Sequence, residues 1–207
     1  MSGRGIFFLV AGPTAAGKTT LVKRLVSTCP GLVANVSVTT RAPRAGEVDG
    51  VDRHFWDRGR FEDAVKQGAF LEHAVVHGHE YYGTRARDVE ELLDQGIDVI
   101  KDIDVQGVEQ VRGKMPYPRS VSIFVVPPSP EDLERRFRDR GTEDEAALKK
   151  RLDSARKEIQ SIGEYDYLVF NDLLEDAVED FRAIRRAEGL RRARRQKDFE
   201  RQWRDAW

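Results

Sequence analysis

Gly12-Pro13-Thr14-Ala15-Ala16-Gly17-Lys18-Thr19 fits the pattern G-x-x-x-x-G-K-[ST]. The pattern has chemical meaning only between a buried strand and a helix, and both flanks are present. Residues 6–11 are an unbroken apolar run, and Leu21, Val22, Leu25 and Val26 recur at helical spacing. Glycines at 12 and 17 permit a tight backbone whose N–H groups face phosphate oxygens, and the helix that follows adds the positive end of its dipole. In such a loop Lys18 reaches the β- and γ-phosphates of a nucleoside triphosphate, and the Thr19 hydroxyl ligates Mg²⁺. Arg41 and Arg44, separated by a stiffening proline, are apt for a second phosphate, because two planar guanidinium forks can face one anionic group.

The other reactive side chains suggest less. Cys29 is the single cysteine, so no intramolecular disulfide forms, and no Cys/His spacing resembles a zinc site. His77-Gly78-His79 reads as a metal chelate or as a polar turn.

The elements that position these groups alternate between strand and helix, which predicts an α/β protein with a mostly parallel sheet and helices on its faces. Strands are expected at 6–11, 33–38, 97–103, 121–126 and 167–170. One helix through Val89, Leu92 and Leu93 stops near Gly96; another starts at Ser129-Pro130, an N-cap followed by proline; a third carries Leu148, Leu152, Ala155 and Ile159. Residues 41–56 and 135–150 break the alternation and read as insertions standing off the core. At 207 residues, with 40% hydrophobic residues, one domain is expected and a disordered chain is excluded. The 34% charged fraction, balanced to −1 overall, belongs on the surface. The six-residue run at 6–11 is too short for a membrane span or a secretory signal, so a cytoplasmic protein without membrane contact is expected.

Further segments resemble one family in order along residues 5–195. Ser37-Val38-Thr39-Thr40-Arg41-Ala42-Pro43-Arg44-Ala45-Gly46-Glu47-Val48-Asp49-Gly50 resembles the S-x-T-T-R-x-P-R-x-G-E-x-x-G segment of guanylate kinases. Phe70-Leu71-Glu72-His73-Ala74, Tyr81-Tyr82-Gly83-Thr84 and Asp102-Ile103-Asp104-Val105-Gln106-Gly107 are similar to the family's F-[LI]-E-[HW]-A, Y-Y-G-[TS] and D-I-D-x-Q-G. Arg136, Arg140-Gly141-Thr142, Lys150-Arg151-Leu152 and Val169-Phe170-Asn171-Asp172 match its lid and adenine-side strand. The resemblance implies a P-loop kinase core at about 1–35, 95–130 and 160–207, a GMP-binding insertion at about 36–94 and a lid at about 131–159. It implies Mg-dependent phosphoryl transfer from ATP to GMP.

By the same resemblance, residues 12–19 with Thr20 and Asn171 hold ATP, and Thr19 and Asp102 serve Mg²⁺. Arg41, Arg44 and Tyr82 hold the GMP phosphate, and Ser37, Glu72, Thr84 and Asp104 form the base side. Lys18 and the lid arginines Arg136, Arg140 and Arg151 bear on the transferred group. A carboxylate at Glu72 suits guanine, which offers N1–H and the 2-amino group side by side. Two other readings share the scaffold: a kinase for another phosphorylated acceptor, and a non-catalytic binding module, against which intact Lys18 and Thr19 stand.

Four positions depart from the family pattern. Ala15 replaces a glycine, Lys101 interrupts an apolar strand, one extra residue stands near Glu80, and Arg53 takes the place of a tyrosine at the GMP phosphate. Arg53, a charged fork, is expected to join Arg41 and Arg44 there. Residues 182–207 hold ten Lys/Arg against four Asp/Glu. Phe199, Trp203 and Trp207 line one helical face there, expected to dock on the body or on a second subunit; nucleic acid is the less favoured partner. Monomer and homodimer both remain open.

Overall fold

The computed structural model describes residues 4–76, 78–139 and 145–204. Among them the chain forms a five-stranded parallel sheet and a smaller four-stranded sheet. The large sheet consists of β1 (Phe7–Ala11), β2 (Leu32–Ala34), β7 (Asp98–Asp102), β8 (Ser120–Val126) and β9 (Tyr167–Phe170), in the order β2-β7-β1-β8-β9. The expected α/β architecture is what is found.

β1 explains the layering. All five of its residues are buried, and successive side chains point to opposite faces. Phe8 and Val10 pack with Leu21, Leu25 and Phe181 on one face; Phe7, Leu9 and Ala11 pack with Val89, Leu93, Val111 and Phe124 on the other. Each fully buried Phe or Leu contributes about 1.5–3 kcal/mol. The first layer is supplied by α1 (Lys18–Thr28) and α7 (Leu174–Leu190), the second by α3 (Ala86–Asp94) and α4 (Val105–Lys114).

The smaller sheet comes from β3 (Val38–Thr39), β4 (His54–Phe55), β5 (Phe70–Val76) and β6 (Glu80–Arg85), in the order β4-β3-β6-β5, with α2 (Arg58–Lys66) packed on it through Phe61. Here one expectation is corrected: residues 33–38 do not form one strand. Leu32–Ala34 pairs with β7, while Val38–Thr39 pairs with β4 and β6. An apolar run states that a segment is buried, not which sheet it joins. The extra residue near Glu80 is absorbed at the β5–β6 hairpin, where Val76 pairs with Glu80 and Ala74 with Tyr82.

α5 (Pro130–Asp139) and α6 (Glu145–Gln160) stand as a pair, joined by Leu133, Phe137, Leu148 and Ala155. Ser129 caps α5 as expected, its Oγ accepting from the Asp132 N–H at 3.1 Å. Ala15 packs into this same cluster although its φ is 68°, a left-handed conformation that costs a non-glycine residue about 1–2 kcal/mol. The methyl group that replaces the family's glycine thus gains contact with the helix pair.

In the last helix, α8 (Arg192–Trp203), one of the two expected placements of the apolar face, docking on the body, is not what is found. Phe199 and Trp203 stack on each other, centroids 5.7 Å apart, but remain 58% and 47% exposed instead of docking on the body; Trp207 lies outside the described residues. The chain turns at Arg191 (φ −58°, ψ 136°), and the fully buried Glu188 holds that turn through Tyr167 and Arg191. This redirects the helix and carries its apolar face away from the sheet. No helix among the described residues is long and apolar enough to cross a membrane.

Candidate active site

β1 ends at the phosphate loop, and the parallel register sets Val10 beside Asp102, so the carboxylate at the end of β7 lies next to the loop. Ligands of open α/β sheets bind at this carboxyl edge. Gly12 has φ 138°, and a Cβ there would lie 2.0 Å from the Val125 carbonyl oxygen, so only glycine fits. Gly17 caps α1 at φ 89°, where a Cβ would meet Asn171 Nδ2 at 2.3 Å. Lys18 Nζ donates to the carbonyls of Gly12 (2.7 Å) and Pro13 (3.0 Å), curling back over the loop. Thr19 Oγ1 donates to Asp102 Oδ2 at 2.6 Å, bringing two hard oxygen donors together. Thr14 and Thr20 are exposed, while Ala16 is buried under the loop.

Asn171 stands beneath this loop. Its Nδ2 donates to the Ala16 carbonyl at 2.7 Å, and its own carbonyl accepts from Arg136 Nη2 at 2.7 Å. Arg136 is therefore held at the loop, whereas the Arg151 guanidinium lies over the Phe137 ring, 6.0 Å from its centroid. Arg140, like His77, Gly141 and Thr142, lies outside the described residues. Among the described residues no three His, Cys, Asp or Glu side chains gather as a metal cluster.

A cleft of about 590 Å³ is lined by Gly12, Thr14, Lys18, Asp102 and Asp104 on one side and by Ser154, Lys157 and Glu158 of α6 on the other. Burial pushes the Glu158 carboxyl above its usual range, with Lys18 pulling the other way. These three α6 residues escape the sequence motifs. Asp104 caps α4, with Oδ1 accepting from the Gly107 N–H at 2.6 Å.

The smaller sheet carries a second group of candidate residues. Arg41 forms a fork with Glu47, Nη1 to Oε2 at 2.7 Å and Nη2 to Oε1 at 2.6 Å, and its Nε donates to Tyr82 Oη at 3.1 Å. The Arg44 side chain makes no hydrogen bond or ion pair among the described residues, while its N–H donates to Glu47 Oε2 at 2.8 Å. Arg53 lies close enough to Lys101 for its charge to disfavour the ammonium. Its side chain makes no hydrogen bond or ion pair among the described residues.

Glu47 is held down to about 2 by the Arg41 guanidinium and the Arg44 N–H. A carboxyl lowered on folding stabilises above its unfolded value near 4.5, and that contribution disappears as pH falls through about 2. A carbon-13 NMR titration is expected to give Glu47 a midpoint near 2 in the free protein. The midpoint should rise once an anion shares Arg41, whereas an ordinary midpoint in the free protein would deny the fork.

Glu72 and Thr84 face each other across β5 and β6, and Thr84 Oγ1 donates to Glu72 Oε1 at 2.6 Å. Lys101 reaches the same place from β7, donating to Ser37 Oγ at 2.7 Å and pairing with Glu72 Oε1 at 3.4 Å. Lys101 and Glu72 are only 9% and 6% exposed. Burial pushes the Lys101 ammonium below its usual range, and Glu72 opposes that shift. The sequence marks Lys101 only as a charge inside an apolar strand; its partners come from other elements.

A family model described as "Guanylate kinase" matches residues 6–188. Guanylate kinases of Vibrio vulnificus and Escherichia coli K12 are 46% and 44% identical over 191 and 193 residues. These matches cover 91% of both chains in the first case and 92% of both in the second. The chain belongs to the guanylate kinase family. A crystal structure of guanylate kinase from Anaplasma phagocytophilum agrees in fold, with a TM-score of 0.72, 32% identity, and coverage of 94% of this chain and 91% of that one. Guanylate kinase activity, that of a nucleoside monophosphate kinase and phosphotransferase, follows for this chain.

Proposed function

We propose that this guanylate kinase transfers the γ-phosphoryl group of ATP to the phosphate of GMP, and that Thr19 and Asp102 are the residues that would hold Mg²⁺. What supports the residue assignment is that Asp102 lies beside the phosphate loop at the end of β7, while Lys101 of the same strand reaches Ser37 and Glu72 on the smaller sheet's side. Lys18 and the 12–19 backbone stand at the sheet's carboxyl edge, and Arg41, Arg44 and Tyr82 stand on the smaller sheet. Lys18 releases its two loop carbonyls and turns to the β- and γ-phosphates. Arg41 shares its fork between Glu47 and the acceptor phosphate. The Thr19–Asp102 oxygen pair suits a hard divalent cation, whose chemical contribution is to neutralise charge on the phosphate oxygens.

The acceptor is an already ionised phosphate oxygen, so no side chain has to remove a proton. Catalysis then consists of alignment, charge compensation and exclusion of water. Arg136, held against Asn171, supplies a guanidinium beside the loop; Arg151 of α6 and, by the family resemblance, Arg140 add charge for the transferred group. Glu72, Ser37, Thr84 and Asp104 form the base side.

A coupled assay of ADP production with GMP, dGMP, AMP, CMP and UMP, with and without Mg²⁺, tests this reading. Magnesium-dependent turnover confined to the guanine nucleotides is expected. Equal or faster turnover of another nucleotide would reassign the acceptor, and turnover that survives chelation would remove Thr19 and Asp102 from a metal role.

A further inference from the structure

The base side contains one group whose role neither the motifs nor the family resemblance supplies. Lys101 is buried on a strand of the large sheet and reaches across to two residues of the smaller sheet's side, Ser37 and Glu72. An ammonium has donors only, whereas a hydroxyl has one proton and two lone pairs. The 2.7 Å contact between Lys101 Nζ and Ser37 Oγ therefore runs from lysine to serine. Ser37 Oγ spends a lone pair on Lys101, and among the described residues its proton goes to no protein acceptor. Glu72 Oε1 is occupied by Thr84 at 2.6 Å and Lys101 at 3.4 Å, while Oε2 takes no donor among the described residues.

We infer that Lys101 is a positioning residue that sets the hydrogen-bonding sense of the base-reading pair, keeping Ser37 as a donor and aiming Glu72 Oε2 as an acceptor. A purine that offers an acceptor beside two donors fits that arrangement. Guanine does so through O6, N1–H and the 2-amino group, whereas adenine reverses the first two positions. Without Lys101 the Ser37 hydroxyl is free to turn, and it can accept from an amino group as readily as it donates to a carbonyl. The inference rests on the reading of GMP as acceptor and extends it to a residue on a different sheet.

The discriminating probe is 6-thio-GMP, which keeps N1–H and the 2-amino group but replaces O6 with a sulfur that accepts weakly. We expect the unaltered protein to favour GMP over 6-thio-GMP by about tenfold in kcat/KM, the size of one modest hydrogen bond. Ser37→Ala and Lys101→Met should each remove most of that preference, and the double variant should remove no more than either alone. The loss should fall on KM for GMP, with KM for ATP unmoved. Lys101→Gln, which retains an N–H for Ser37 without the charge, should keep the preference while raising KM for GMP. It also serves if Lys101→Met does not fold. A preference unchanged in Lys101→Met, or additive losses in the double variant, would overturn the inference. Loss of the preference in Lys101→Gln would overturn it as well. Absence of GMP turnover in the unaltered protein would instead defeat the acceptor assignment itself.

Discussion

Lys18→Ala is expected to lower kcat by at least about 10²–10³-fold, the usual cost of removing one preorganised group from developing phosphoryl charge. The fold should survive. In the free protein Lys18 donates to the Gly12 and Pro13 carbonyls, at 2.7 and 3.0 Å, beside an open cleft where water can replace those bonds. Two such bonds are worth about 1–3 kcal/mol at most, and a domain of this size loses roughly 2–4 °C in Tm per kcal/mol. Turnover in the coupled assay and a thermal melt on the same preparation separate the two effects. Near-normal turnover would remove the phosphate loop from the chemistry, and a collapsed melt would show that the loop carries the fold instead.

Glu72→Gln is expected to act twice. The amide cannot accept from both guanine donors, so the ratio of kcat/KM for GMP over AMP should fall about 10²-fold or more. The same change leaves Lys101 buried beside a neutral partner. Breaking one side of a buried pair typically costs about 3 kcal/mol, or roughly 6–12 °C in Tm. Adding Lys101→Met to Glu72→Gln should recover part of the lost stability, because no buried charge is then left without a partner. It should not recover the discrimination. An unchanged GMP-to-AMP ratio would take Glu72 out of base reading. An unchanged melt in the single variant would mean that water, not Glu72, compensates Lys101.

What was legible in the sequence is what contiguous residues settle by themselves. The phosphate loop needs only eight adjacent residues between a strand and a helix, and its glycines are demanded by local backbone conformation. The central strands announce themselves because both faces of β1 and β8 are buried, which leaves no polar position to blur the pattern. Ser129 as a cap is equally local.

Tertiary structure decided the rest, because each remaining feature depends on partners far apart in the chain. The division of residues 33–38 between two sheets follows from which edges offered unpaired backbone groups, not from the apolar run. Glu72 meets Thr84 through hairpin register, and Lys101 finds Ser37 from 64 residues away. The three α6 residues that wall the cleft lie in a helix whose sequence reads only as amphipathic. The stripe of Phe199 and Trp203 was correct as a helical face, but where that face points was settled by the bend at Arg191 and the buried Glu188 beneath it. Local sequence determines which conformation a segment adopts and which side of it is apolar. The long-range packing of two sheets determines what that side meets, and in this chain it brings a lysine from one sheet to a buried carboxylate of the other.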